Sequence, residues 1–296
     1  MLRRHMLALP ALAATAPSLD EAVKREIAGL DAEVWISARN LDSGASYALR
    51  ENERVRTAST IKLPILAATF AQVAAGKARW DEFITLREED KVSGSGVLSE
   101  FSAGLKLPLQ DLAHVMIVLS DNTATNLVLD RITAEAVNAF MDTLGLTATR
   151  SLRKVRGDGT QLKAAAGWSK AGLAEENQRF GLGVSTSREM VALLDLLERG
   201  KVVGEAASRE MIAILKRQQY KDGIGRRLAQ FEIASKSGAL DALRSDVGIV
   251  YTPGGRVALA ITVDGLKTVD YGEDNVGLLA IGRLAEQLVK ALAPGA

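Results

Sequence analysis

No cysteine occurs in the 296 residues, which excludes disulfides, thiol nucleophiles and cysteine-ligated metals. Histidine is almost as scarce. His5 and His114 are the only two, and His114 lies in the apolar helical pattern LQDLAHVMIVLS, so a zinc site lacks ligands and a Ser-His-Asp triad has one candidate at most. An activated serine would therefore need a lysine or a carboxylate as its base. An excess of either charge is missing too: 37 Lys and Arg face 36 Asp and Glu without a basic block, which argues against nucleic acid as a partner. There is no internal repeat, no low-complexity linker and no apolar run long enough to span a membrane permanently. No metal or organic cofactor is implied, and the expected assembly is a monomer.

The chain is long enough for one large domain or two intertwined ones. Its start, MLRRHMLALPALAATA, has a basic beginning, an apolar stretch from Met6 to about Ala16 and small residues at Ala14 and Ala16. That is the pattern of a secretory leader, placed at residues 1–19, with export to the periplasm or beyond. Loss of Arg3 and Arg4 with it takes the formal charge from +1 to −1.

The most informative stretch is Thr57 to Gly76, TASTIKLPILAATFAQVAAG. After Lys62 it carries no charge until Lys77, and its apolar residues fall on every face of a helix, which predicts a buried core helix. Its polar groups gather at the amino end, where Ser59 is placed to cap the helix and the Lys62 amine to reach back to it. A hydroxyl, an amine and a helix N-terminus together suit an activated nucleophile; an ordinary cap followed by an ordinary lysine accounts for the same residues. Ser151 and Lys154 share the spacing, but VRGDGTQ follows and breaks any helix.

A helix is predicted over residues 20–30, then a hairpin of strands (AEVWISARNL and ASYALR) turned by Asp42-Ser43-Gly44. Residues 87–107 read as loop, with VSGSGVLS flexible enough to approach a ligand closely. Helices follow from Pro108 to Leu119, 123–132 and 134–144. Residues 146–184 are long and polar without a clear period, which predicts a functional or a mobile loop. Helices at 187–199 and 205–218, strands at 231–236, 245–251 and 256–263, and a helix at 275–292 complete the chain. This order predicts an α/β (α+β) sandwich: an antiparallel sheet built from both ends of the chain (20–58 and 204–296) with an all-helical domain (59–203) inserted.

Three short motifs stand in order: Ser59-Thr60-Ile61-Lys62, Ser120-Asp121-Asn122 and Lys236-Ser237-Gly238. Each falls in a telling context, respectively a helix start, a turn between helices and a strand. The set resembles that of class A β-lactamases and the related penicillin-binding proteins. The resemblance runs from about Asp20 to Leu292 and implies a five-stranded antiparallel sheet flanked by helices plus an all-helical lobe, with the site in the groove between. It implies Ser59 as nucleophile, Lys62 as base and Ser120 as proton relay. Asn122, Lys236 and Ser237 would bind substrate, a β-lactam or a D-alanyl peptide. The Ala239 and Ser59 N–H groups would form the oxyanion hole, and Arg244 is a further candidate for the substrate carboxylate. Independently of the family, Lys62 can act as a base only if burial and the second cation, Lys236, push its pKa down. Asp121 is placed to pin its turn through backbone N–H groups.

One part of the family pattern is missing. Class A enzymes carry a glutamate that activates the deacylating water. Aligning Thr149-Arg150 with the start of its loop puts Val155 at that position. Glu176, beside Glu175 and before Asn177, is the substitute candidate if the longer loop returns it to the groove, and Asp158 is the nearest carboxylate in sequence. Three readings stay open: a β-lactamase, a D-alanyl peptidase or esterase that β-lactams acylate and leave slowly, and a non-catalytic penicillin-recognising domain.

Overall fold

Both ends of the chain supply the sheet. The computed structural model describes residues 18–157, 162–163 and 165–295; residues 1–17 of the expected leader lie outside them. Ser18 opens helix α1 (Leu19–Ile27) with a reciprocal cap, its hydroxyl accepting from the Glu21 N–H while the Glu21 carboxylate accepts from the Ser18 N–H. β1 (Glu33–Asn40) and β2 (Ser46–Leu49) form the expected hairpin, and β3 (Val55–Arg56) leads to a 3₁₀ turn at Ala58–Ile61 and helix α2 (Lys62–Ala74). β4 (Phe83–Thr85) pairs with β5 (Lys106–Pro108) ahead of α3 (Leu109–Val118), α4 (Asn122–Ile132) and α5 (Ala134–Thr143). The long loop holds β6 (Arg150–Ser151), the single turns α6 (Lys170–Leu173) and α7 (Glu175–Gln178), and β7 (Gly183–Ser185). Helices α8 (Ser187–Glu198) and α9 (Glu205–Lys216) precede β8 (Glu232–Leu240), β9 (Leu243–Thr252), β10 (Gly255–Asp264) and α10 (Val276–Leu292).

The main sheet has five antiparallel strands in the order β2-β1-β10-β9-β8, which leaves β8 at an edge. Alternation along β10 explains how it is covered. Val257, Leu259, Ile261 and Val263 join the core under α1 and α10, whereas Ala258 and Ala260 face the helical core. Small side chains on that second face let α8 lie close to the sheet. The hairpin is tied to the far end of the chain by Asn40, which donates to the carbonyls of Gly254 and Leu292.

Every residue from Thr60 to Phe70 is buried, as apolar character on all faces predicts. Ile61, Ile65 and Leu66 are fully enclosed, and each contributes about 1.5–3 kcal/mol by transfer from water. That supports a helix whose first residue is a buried lysine. Pro108 differs from expectation: it closes β5 opposite Phe83 with ψ 150°, so α3 starts one residue later. The two- and three-residue strands β3 to β7 were not foreseen, because so short a strand has no measurable period.

Candidate active site

Ser59 does not cap α2. It sits half-buried inside the preceding 3₁₀ turn, the cap position of α2 being Ile61, and the Lys62 amine donates to Ser120 and Asn122 instead of reaching back to the Ser59 hydroxyl. Ala58 takes the left-handed conformation (φ 48°), a strained choice for a residue with a Cβ. The edge strand β8 presses on this turn. A Cβ at Gly238 would lie 2.9 Å from Thr57 O and 3.0 Å from Ser59 N, so only glycine allows the approach. The next residue, Ala239, is exposed.

Lys62 and Lys236 are both fully buried and meet at Ser120. The Lys62 amine donates to Ser120 O at 2.5 Å, Asn122 Oδ1 at 3.0 Å and Ser120 Oγ at 3.2 Å. Lys236 donates to the same Oγ at 3.0 Å and to Ser237 O at 2.7 Å. Ser120 also has a left-handed backbone (φ 53°), which turns its carbonyl and hydroxyl toward the amines together. Burial drives Lys62 well below the usual lysine range, and the nearby Lys236 charge pushes the same way. Burial takes Lys236 down to about 7, opposed by Asp246.

Asp121 performs the pinning its sequence position suggested. Its carboxylate accepts from the N–H groups of Val97, Leu98 and Ala124 at 2.7–2.9 Å, capping α4 and holding the Gly-Ser loop. Asn122 donates to Ser93 O at 3.0 Å. The loop glycines make room for this turn: at Gly96 (φ 107°) a Cβ would fall 2.2 Å from Asp121 Oδ2, and at Gly94 (φ 97°) 2.9 Å from Asn122 Nδ2.

Residues 18–292 match the beta-lactamase enzyme family. The chain belongs to that family. It is 25% identical over 280 residues to a beta-lactamase of Rhodobacter capsulatus, covering 92% of this chain and 89% of that one. It is 25% identical over 259 residues to beta-lactamase L2 of Stenotrophomonas maltophilia, with coverages of 83% and 78%. Among solved structures it is similar to a beta-lactamase from Sphaerobacter thermophilus (TM-score 0.79, 28% identity, 93% and 96% covered). The fold of PBP-A is similar too, with TM-score 0.78, 23% identity and coverages of 92% and 95%. A beta-lactamase-family chain with this ordered motif set is a serine hydrolase, and the antiparallel sheet with helices is that family's fold.

Val155 is pinned to α4 by a two-way amide pair, its N–H donating to Asn126 Oδ1 and its carbonyl accepting from Asn126 Nδ2, both at 2.8 Å. Asn126 was not singled out from sequence, although it stands one helical turn after Asn122 and so on the same face. Glu176 is not carried into the groove. The single turn α7 exposes it, while its neighbour Asn177 turns inward to accept from Arg54 and donate to Ala171 O. Asp158 lies outside the described residues. Asp121 is the one carboxylate with a noted effect on Lys62 among the described residues, and its oxygens are occupied by backbone N–H groups.

Arg244 also departs from expectation. Its guanidinium is buried and donates to the carbonyls of Leu240, Leu243 and Asp270, stacked on the Tyr271 ring at 4.8 Å. It staples the β8–β9 turn to the segment before α10. Ser237 is half-buried on β8 beside Lys236. His114 contacts Arg217 at 3.2 Å, and the decoy Lys154 is ion-paired with Asp130. A cleft of about 240 Å³ lined by Trp35, Arg54, Arg56 and Phe180 contains none of the motif residues.

Proposed function

We propose that this is a class A-type serine hydrolase that β-lactams acylate at Ser59 and that releases the acyl group slowly. The observation that carries the reading is the meeting of Lys62 and Lys236 at Ser120, beside a serine whose hydroxyl the helix leaves free. Lys62, held neutral by burial, takes the Ser59 proton as Oγ attacks the lactam carbonyl. Ser59 and Ala239 N–H groups stabilise the oxyanion, each by about 3–4 kcal/mol. The C–N bond then breaks, and Ser120 passes a proton from Lys62 to the departing nitrogen. Lys236 and Ser237 grip the substrate carboxylate, and Asn122 keeps one amide N–H for the acyl side chain.

Slow release is supported by the sequence alignment, which puts Val155, tied to Asn126, where class A enzymes carry their water-activating glutamate. Fast turnover is the second reading, favoured by the beta-lactamase names of the 25–28% identical relatives. A D-alanyl peptide would meet the same groups as an acyl donor. Export through the leader belongs to the proposal, and amino-terminal sequencing of protein from a periplasmic extract tests it.

Nitrocefin turnover together with intact-protein mass spectrometry separates the readings. The expected result is a burst followed by slow turnover, with a persistent adduct on Ser59. S59A should lose the adduct while keeping its circular dichroism spectrum. Rapid turnover without an adduct would favour the second reading, and labelling of S59A would move the nucleophile elsewhere. An inert but folded protein would point to a recognition domain.

A further inference from the structure

Asp246 takes no part in the steps above. It lies on β9 directly opposite Ser237 and one residue from Val247, the partner of Lys236. The residue is 1% exposed; Oδ2 accepts from the Ile224 N–H at 2.9 Å, and Oδ1 has no hydrogen-bond partner. A buried carboxylate oxygen left alone is costly and calls for a reason. The turn above is shaped around this group, since a Cβ on Gly223 would stand 2.4 Å from Oδ2.

The charges around Asp246 narrow its role. Asp222, in the covering turn, has the same sign. Arg226 from that turn is paired with Asp274, and Arg244 on the same strand is committed to carbonyls. Of the cations on neighbouring elements, Lys236 is the one coupled to Asp246. Lys236 spends its recorded hydrogen bonds on Ser120 and Ser237, so Asp246 acts on it through the electric field and not by contact. Lys236 in turn opposes protonation of Lys62, while Asp121 acts on Lys62 in the other direction.

We propose that Asp246 is the counter-charge of Lys236, a positioning residue that keeps the ammonium charged when a substrate carboxylate must be gripped. This rests on the reading of Lys236 given above. Burial favours the neutral form of both groups, and ionised Asp246 offsets that for the lysine. Removing the carboxylate charge lets Lys236 shed its proton at lower pH. Binding of an anionic β-lactam then fails earlier on the alkaline side.

The test is the second-order rate of acylation by benzylpenicillin between pH 6 and 9. D246N should match the parent within about threefold at pH 6 and lose its alkaline limb roughly one pH unit sooner, about tenfold in rate near pH 8.5. In a K236R background, where the cation is permanent, D246N should produce no such displacement. Coincident limbs for the parent and D246N would overturn the proposal. A second measurement covers a D246N chain that fails to fold. In ¹³C-aspartate spectra of the parent and K236Q, the carboxyl that titrates near neutrality should shift its midpoint upward by about one unit on loss of the lysine. An unmoved midpoint overturns the proposal equally. Acylation of S59A would refute the acyl-Ser59 reading and leave this coupling intact, so the two failures are distinguishable.

Discussion

The two halves of the site are built differently. Where Lys62 and Lys236 converge on Ser120, next to the turn that carries Ser59, two non-glycine residues hold left-handed backbones, two lysines are buried, and Asp121 ties three backbone N–H groups. Such strain and burial persist only when the surroundings over-determine them, and they are the means of tuning an amine into a base. The loop between residues 146 and 184 is anchored beside this cluster by the Asn126–Val155 amide pair and by the Gly183 carbonyl, which accepts from the Thr57 N–H, and its glutamates Glu175 and Glu176 face solvent. On the proposed reading, the groups that would make an acyl enzyme and those that would break it are encoded in separate stretches, and among the described residues the first set is the more tightly held.

The sharpest way to break that contrast is to supply the missing base. Asn126 already fixes the peptide at position 155, so V155E needs no new backbone arrangement. A positioned general base contributes about 10²-fold or more. Release of the acyl group should accelerate by roughly that factor while the acylation rate stays within about threefold. Adduct lifetime by mass spectrometry reads this directly, and an unchanged lifetime would show that position 155 does not limit release.

The same contrast separates what could be read from sequence and what could not. Helix α2 was legible because its apolar residues occupy every face, and the sheet because strands β8, β9 and β10 alternate between turn residues. The three motifs were legible because each joins a fixed spacing to a recognisable element boundary. Ser59 was misread as a cap, since a 3₁₀ turn and an α-helical turn share their residue preferences over four positions. The Gly-Ser loop was read as free to approach a ligand, and its sequence did not tell that Gly96 and Gly94 make room for Asp121 and Asn122. Arg244 was misplaced, and Asp246 not singled out, for a different reason. Whether a charged residue on a strand is exposed or sealed under a neighbouring turn depends on packing from residues far away, here Tyr271 and Gly223, which no local pattern reports.

A smaller effect should separate the halves by their cost to stability. Lys236 has its folded-state pKa lowered to about 7 from an ordinary 10.5. A depressed pKa means that the stability present above 10.5 is lost as pH falls toward 7 and stays lost below it. Replacing the lysine removes that penalty. K236M should therefore unfold at higher temperature than the parent at pH 7, by about 1–4 kcal/mol of stability, while losing its grip on anionic substrates. The gain should shrink as pH rises toward 10.5. Thermal melts at pH 7 and pH 10 check both statements, and a K236M protein less stable at pH 7 would show that the packing of the lysine stem, together with the Asp246 charge left without its counter-ion, outweighs the desolvation of the amine.

The smallest change is expected at Glu176. The carboxylate is exposed on a single helical turn, and the inward-facing member of that turn is Asn177, held by Arg54 and the Ala171 carbonyl. Bringing Glu176 to the cleft would require breaking those bonds, about 0.5–1.5 kcal/mol each for neutral pairs and more for the charged one. E176Q should leave both acylation and adduct lifetime within about twofold, because an exposed side chain outside special features changes little. A lifetime extended tenfold or more would show that the loop closes after acylation and delivers this carboxylate to the acyl group. It would also make V155E redundant, since the deacylating half of the site would then be assembled by substrate rather than absent.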